Sequence, residues 1–303
     1  MGEPRVSAQT SSGAIRRLAL GTAQFGLSYG VANQSGQVAQ GAVAAILGRA
    51  ALAGVDTLDT AVAYGVSESA LGAAGVSSWR VISKLPALPS GETDIGEWVG
   101  NQVRASLERL RVAQLEALLL HRPADLLSPF STEYRRALYS LKEQGTVRAL
   151  GISIYDPGEL EQLWPLWQPD IVQAPFNVLD RRLLTSGWLA RLQDRGVRIH
   201  VRSVFLQGLL LMRGIARPPA FERWRPLLDE WLAWCEQSGT QPLRAAVAFV
   251  SRQPEIERYV IGVDSLPQLE EVLDALVAPS SVPPSHLMSD DRDLLEPSRW
   301  KLT

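Results

Sequence analysis

Short apolar runs alternate along this chain with longer stretches in which apolar residues recur every three to four positions. The runs at 18–20, 55–58, 81–83, 117–120, 150–153, 171–173, 199–204 and 259–261 read as strands. They are nearly continuous apolar segments, as strands buried on both faces are. The stretches between them read as helices. Val99, Val103, Leu107 and Leu110 mark one, with Asp94 placed to cap its start. Tyr134, Leu138 and Leu141 mark another, with Ser131 or Thr132 as cap and Gly145 as stop. Asp156 and Pro157 open a third, a cap followed by a proline at the first helical position. Leu227, Trp231 and Trp234 share a face before Gly239, and Pro242 opens a helix with Leu243, Val247 and Val250 inward. Eight strands, each followed by a helix, form the pattern of a (β/α)8 TIM barrel. No boundary divides the chain. It is expected to be a single-domain α/β barrel over 14–303, with a C-terminal helical and loop appendage from about Ser265. The stretch "AIRRLALG" near the start is a candidate hairpin closing the barrel floor.

Composition adds exclusions. The chain has 303 residues, 46% of them hydrophobic and 20% charged, which suits an ordinary globular protein. Its formal net charge is −2 with acids and bases interspersed, so nothing favours nucleic acid or an anionic membrane as a partner. Cys235 is the only cysteine, so no intrachain disulfide can form, and a reducing compartment fits. Residues 1–13 are polar, lack an apolar signal-peptide core and read as a disordered leader. No stretch approaches the roughly 20 apolar residues of a membrane helix, and a cytoplasmic location is expected. Most of the tryptophans fall on helical faces and read as packing residues. His200 lies within a strand pattern and reads as a core residue.

The candidate chemistry stands where strands end. "GVDTLDTAVAYG" closes an apolar run on Asp59 and brings Tyr64 five residues later; "VISKL" delivers Lys84, and "LLLHRP" delivers His121. Barrels of this kind keep their chemistry at the C-terminal ends of the strands. A phenol holds its proton at neutral pH and can donate it, and an adjacent ammonium lowers its pKa. Lys84 is placed to supply that charge, with Asp59 as its partner, and His121 can hydrogen-bond a substrate oxygen. The set suits protonation of an oxygen on which negative charge develops, as in reduction of a carbonyl when another group delivers hydride. No metal-ligand set is assigned.

With these residues in place, the chain resembles the aldo-keto reductase family from about Leu18 to Glu271. "LGTAQFG", "GVDTLDTAVAYG", "ISKL" and "LHRP" are similar to the family's motifs in order and spacing. The resemblance implies reduction of aldehydes or ketones with NADP(H), bound without a Rossmann domain. It makes Tyr64 the general acid, Lys84 its pKa-lowering partner, Asp59 the partner of Lys84, and His121 the group that orients the carbonyl.

It also implies a cofactor-binding set. Gly21 and Thr22 match positions near the nicotinamide ribose, with Asp59 beside them, and Ser153 and Gln173 match residues that bond the carboxamide. Where the family often follows that serine with Asn, this chain has Ile154. Arg202 stands where many members stack an aromatic ring on the nicotinamide, and it could stack or form an ion pair; Ser203, Phe205, Gln207 and Gly208 complete that segment. Gly262, Ser265, Gln268 and Glu271 match the loop and helix that hold the adenosine phosphate. Gln268 replaces the usual Arg and Asp264 adds negative charge, so use of NAD(H) stays open beside NADP(H). The partner expected is a small carbonyl substrate. Phe25, Tyr29 and Pro123 lie in loops that shape its pocket without naming it, and the oligomeric state is not legible. Two other readings stand beside this one: a non-catalytic nicotinamide-binding subunit that senses redox state, and a Schiff-base lyase using Lys84 as nucleophile.

Overall fold

The computed structural model describes residues 13–302; residues 1–12 of the expected leader lie outside them. Eight parallel strands close into a barrel in chain order. They are β1 (Leu18–Gly21), β2 (Thr57–Asp59), β3 (Arg80–Leu85), β4 (Leu115–Leu120), β5 (Val147–Ser153), β6 (Ile171–Pro175), β7 (Arg198–Arg202) and β8 (Ile256–Gly262). The outer layer begins with α1 (Gln40–Ala53), α2 (Ser67–Ala74), α3 (Ile95–Leu110), α4 (Ser131–Glu143) and the short α5 (Glu159–Leu163). It continues with α6 (Arg182–Thr185), α7 (Trp188–Asp194), α8 (Arg225–Gln237), α9 (Pro242–Ser251) and α10 (Leu266–Val277). Among the described residues no helix is long and apolar enough to cross a membrane.

All eight strand expectations fall on observed strands, and the differences sit at the ends. Val55 and Asp56 precede β2, and β7 stops at Arg202, two residues short of the apolar run, because the backbone turns at Ser203 (φ 61°). Asp94 caps α3 through Glu97 N–H at 2.9 Å. The α4 expectation needs correction. Ser131 is the first helical residue rather than the cap, and Phe130 at the cap position supplies no side-chain acceptor. Asp156 receives Gly158 N–H at 2.7 Å and leads through a turn into α5, so Pro157 precedes the helix.

Among the described residues the barrel floor carries no hairpin. Residues 13–16 form a helical turn. Arg17 follows and donates to Ser251 O at 2.8 Å and Ile256 O at 3.0 Å, tying the turn to the α9–β8 connection. At the other end of the chain, Ser265 caps α10, which packs on α9 and α1 as the eighth barrel helix. The appendage therefore starts after Val277 rather than at Ser265. It is anchored by Ser289 N–H to Leu179 O at 2.8 Å and by the buried Arg182, which bridges Asp180, Asp156 and Glu296.

The interior explains where chemistry can sit. Ile82, Ala117, Leu119, Ala149 and Ile171 form a buried cluster separate from the main core between barrel and helices. Side chains two apart on a strand share a face. One step towards the C-terminal ends from this apolar plug, the same faces carry Lys84, His121, Ser153 and Gln173. Gly151 keeps the plug tight, since a Cβ there would overlap Leu119 and the Ile171 backbone. The polar layer thus stands on an apolar floor and lies next to the cleft at the C-terminal ends of the strands.

Candidate active site

Asp59 and Lys84 meet across neighbouring strands. Lys84 Nζ donates to Asp59 Oδ1 at 2.5 Å and to Thr60 O at 3.0 Å, and the lysine is fully buried. Gln173 Nε2 donates to the other carboxylate oxygen at 2.7 Å, and Ser153 Oγ donates to Gln173 Oε1 at 3.1 Å. A chain of polar contacts thus crosses the barrel from β5 to β3, and each buried charge has a partner, as burial demands.

Tyr64 leans over this pair from the turn after β2. The turn is held by Tyr64 N–H to Ala61 O and Ser67 N–H to Tyr64 O, both 3.0 Å. Gly26 lets the loop after β1 press against it, because a Cβ there would overlap the Tyr64 carbonyl oxygen. The Tyr64 ring meets the His121 ring edge-on with centroids 5.8 Å apart, and Lys84 Nζ lies 5.1 Å from the Tyr64 centroid. The four groups expected to act together are therefore together.

Their titration differs from expectation in one respect. Burial, and then the Asp59 carboxylate, hold the Tyr64 phenol well above its ordinary value, with Arg202 pulling the other way. The expected lowering by Lys84 does not emerge, because that charge faces Asp59 at contact distance. Burial pushes Lys84 itself down, against the pull of Asp59. Burial, with the Lys84 and Arg202 cations nearby, brings His121 down to about 4, so the imidazole is neutral at neutral pH. The site presents a firmly protonated phenol beside a neutral imidazole. Both can donate a hydrogen bond to an oxygen, and the phenol can also yield its proton.

A cleft of about 480 Å³ runs from Asp59, Tyr64 and His121 towards the N-terminus of α10. Of the residues expected to hold a cofactor, Gly21, Thr22, Asp59, Arg202, Ser203, Phe205, Gln207, Gly208, Gly262, Gln268 and Glu271 line it. Ser153 and Gln173 do not; their polar atoms face each other and Asp59 beneath the cleft. Ser265 is also absent from the wall and caps α10 instead, accepting from Gln268 N–H at 3.4 Å. Among the pocket-shaping candidates Tyr29 lines the cleft, whereas Phe25 and Pro123 are buried elsewhere. Arg202 is stacked, but on a protein ring. Its guanidinium lies 4.6 Å from the Tyr155 centroid and donates to Ile154 O at 2.9 Å.

Gln24, Asn33, Tyr155, Leu211 and Leu243 also line the cleft and were not among the expected site residues, although Gln24 lies within the motif "LGTAQFG". Gln24 and Tyr155 lie just past the ends of β1 and β5, and that position was the available cue.

The wall is built to come close to a ligand. Ser203, Leu206 and Gln207 all take positive φ (61°, 48° and 55°) ahead of Gly208. Non-glycine residues rarely accept that conformation, and such strain clusters at ligand sites. Gly208 seats the segment against Ala32, and Tyr29 and Gln207 join across the cleft at 3.2 Å between Oη and Nε2. At the far end Asn33 Nδ2 donates to Asp264 Oδ1 at 3.2 Å, and Gln268 Oε1 accepts from Asp264 N–H at 2.7 Å.

The sequence profile of the Aldo/keto reductase family matches residues 17–282, and the chain belongs to that family. It is 27% identical over 217 residues to an NADH-specific methylglyoxal reductase of Escherichia coli (strain K12), a match covering 66% of this chain and 66% of that enzyme, just under two thirds of either. It is 27% identical over 287 residues to an L-galactose dehydrogenase of Arabidopsis thaliana, covering 86% of each. Among solved structures, the holo form of an aldo-keto reductase from Bacillus halodurans superposes with a TM-score of 0.70 at 19% identity, covering 95% of this chain and 93% of that one. At that identity the superposition speaks for the barrel fold.

Proposed function

We propose that this protein reduces small aldehydes or ketones to alcohols with a nicotinamide dinucleotide. The reading is carried by the buried Lys84–Asp59 pair beneath Tyr64 and His121, at one end of a cleft long enough to continue to α10. The cleft fits the dinucleotide in kind. Glycine backbones at Gly21, Gly208 and Gly262 line it, a strained segment forms one wall, and polar groups gather at the end remote from Tyr64. When bound, the nicotinamide supplies the hydride. Tyr64 holds its proton and gives it to the carbonyl oxygen as negative charge develops there. His121, neutral, orients that oxygen by donating a hydrogen bond. Asp59 keeps Lys84 charged, and Gln173 and Ser153 keep Asp59 in place. The test is cofactor oxidation followed at 340 nm against a panel of aldehydes, ketones and sugars; no turnover on any member would refute the reading. A Schiff-base lyase is disfavoured, because Lys84 is buried below the cleft and held charged by Asp59.

The cofactor end favours NAD(H) at least as strongly as NADP(H), a departure from the NADP(H) that the family resemblance implied. Arg202 is the only Lys or Arg among the lining residues, and it belongs to the catalytic end; Asp264 and Glu271 stand at the other. A 2′-phosphate there would meet two carboxylates, whereas a ribose 2′-hydroxyl could donate to one. The methylglyoxal reductase relative is NADH-specific by name, which agrees. Quenching of tryptophan fluorescence should show NADH bound at least as tightly as NADPH. Gln268→Arg is expected to shift the ratio towards NADPH by about tenfold, the effect of one charge-assisted contact. A wild type that prefers NADPH strongly would overturn this assignment.

The pH dependence follows from the two donors. Reduction needs Tyr64 protonated and His121 neutral. Since the phenol lies above its ordinary range and His121 titrates at about 4, kcat/KM for reduction should stay level from about pH 6 to about pH 9. An acid limb near the ordinary histidine value of about 6.5 would show His121 to be less buried than it stands here.

A further inference from the structure

Among the described residues Arg202 is a cation without a counter-ion. At the end of β7 its guanidinium donates to the Ile154 carbonyl at 2.9 Å and to Ser203 Oγ at 3.3 Å, and it rests on the Tyr155 ring. None of the described carboxylates lies within 4.0 Å of it, the reach of an ion pair. Those two bonds leave the remainder of the five N–H donors of an arginine unengaged. The other charged groups at this end cancel, since Lys84 and Asp59 form a pair and His121 is neutral. The catalytic end therefore carries one net positive charge, half-buried, where fields act strongly. Arg202 is near enough for its charge to act on Tyr29, Tyr64 and His121 alike. The backbone contact and the tyrosine ring hold the guanidinium plane in one orientation, so an arriving anion meets a preorganised fork.

We infer that Arg202, braced by Tyr155, is an anion subsite, and that the carbonyl compounds reduced here carry a carboxylate or a similar compact anion close to the carbonyl. This rests on the reductase reading above. A neutral aldehyde would leave the guanidinium unpaired in the closed site, whereas an oxo acid would pair with it bidentately.

The same chemistry could instead serve a phosphate of the dinucleotide, and the experiment separates the two. Wild type and the variants Arg202→Met and Arg202→Lys are compared on ω-oxo carboxylates, from glyoxylate to 4-oxobutanoate, and on their methyl esters. The wild type is expected to favour at least one acid over its ester by about ten- to a hundredfold in kcat/KM, the worth of one charge-assisted bond. Arg202→Met should bring that ratio to about one, and Arg202→Lys should restore part of it. In parallel, oxalate should raise the melting temperature of the cofactor-free wild type and leave that of Arg202→Met unmoved. Acid-to-ester ratios near one in the wild type would overturn the subsite. So would an Arg202→Met variant that keeps its ratio but loses more than about tenfold in affinity for ADP-ribose, since the anion would then be the cofactor's. If neither acids nor esters are reduced, the reductase reading fails, and the oxalate shift alone decides the subsite.

Discussion

Tyr64→Phe is expected to lower turnover by about two to four orders of magnitude, the usual contribution of a general acid, while leaving dinucleotide binding intact. The substitution removes one oxygen and keeps the ring. The edge-on contact with His121 and the approach of Lys84 are made by the ring face and edge, so the turn after β2 should hold its shape. The proton is what goes. Burial and Asp59 keep the phenol protonated across the working range, and His121 titrates too low to carry a spare proton at neutral pH. His121 would still donate a hydrogen bond to the carbonyl oxygen, but the proton that Tyr64 gives as charge develops there would be missing. Steady-state rates with the best substrate of the carbonyl panel, paired with a fluorescence titration of NADH, separate the two readouts. A variant within about tenfold of wild type would take Tyr64 out of the reaction.

Lys84→Met should destabilise the fold by about 3–5 kcal/mol, because it leaves the Asp59 carboxylate buried with only Gln173 to meet it. Methionine fills much of the lysine's volume, so the loss reflects charge rather than a cavity. Adding Asp59→Asn removes the orphaned charge, and the double variant should unfold at a higher denaturant concentration than Lys84→Met alone. Chemical denaturation of the single and double variants checks this. A single variant as stable as wild type would mean that the pair contributes nothing to holding the barrel mouth. The same change should also move alcohol oxidation to higher pH, since oxidation needs the Tyr64 phenolate and an unneutralised Asp59 opposes it.

Much of the fold was legible because the barrel repeats one local rule. Most strands are short, largely apolar runs and several helices have a one-sided stripe, so β1 to β8 could be placed from these local patterns. Legibility failed where tertiary contact decides a terminus. Ser131 lost the capping position to Phe130. Residues 13–16 form a helical turn rather than part of a hairpin because Arg17, which follows, has three backbone carbonyls of the α9–β8 region to bind. The stretch after Ser265 was expected to be an appendage because it follows the last strand, yet it is the helix that completes the outer layer.

The site divided in the same way. The residues of Asp59, Tyr64, Lys84 and His121 were readable, since each follows an apolar run in a fold that gathers such ends at one rim. Their electrostatics were not. Placement at neighbouring strand ends suggested that Lys84 would acidify Tyr64, but the sign of that shift depends on which neighbour takes the lysine's charge and how much water remains. Ser153 and Gln173 matched a ligand-binding pattern, and the barrel turned their polar atoms towards Asp59. The side chains alone dictated which chemistry this chain carries and that it sits at strand ends, because strand period and residue type are local properties. Three-dimensional packing decided which charges pair, which proton stays on the phenol and why Arg202 faces the cleft without a counter-ion, because burial and Coulomb interactions are sums over neighbours far apart in the chain.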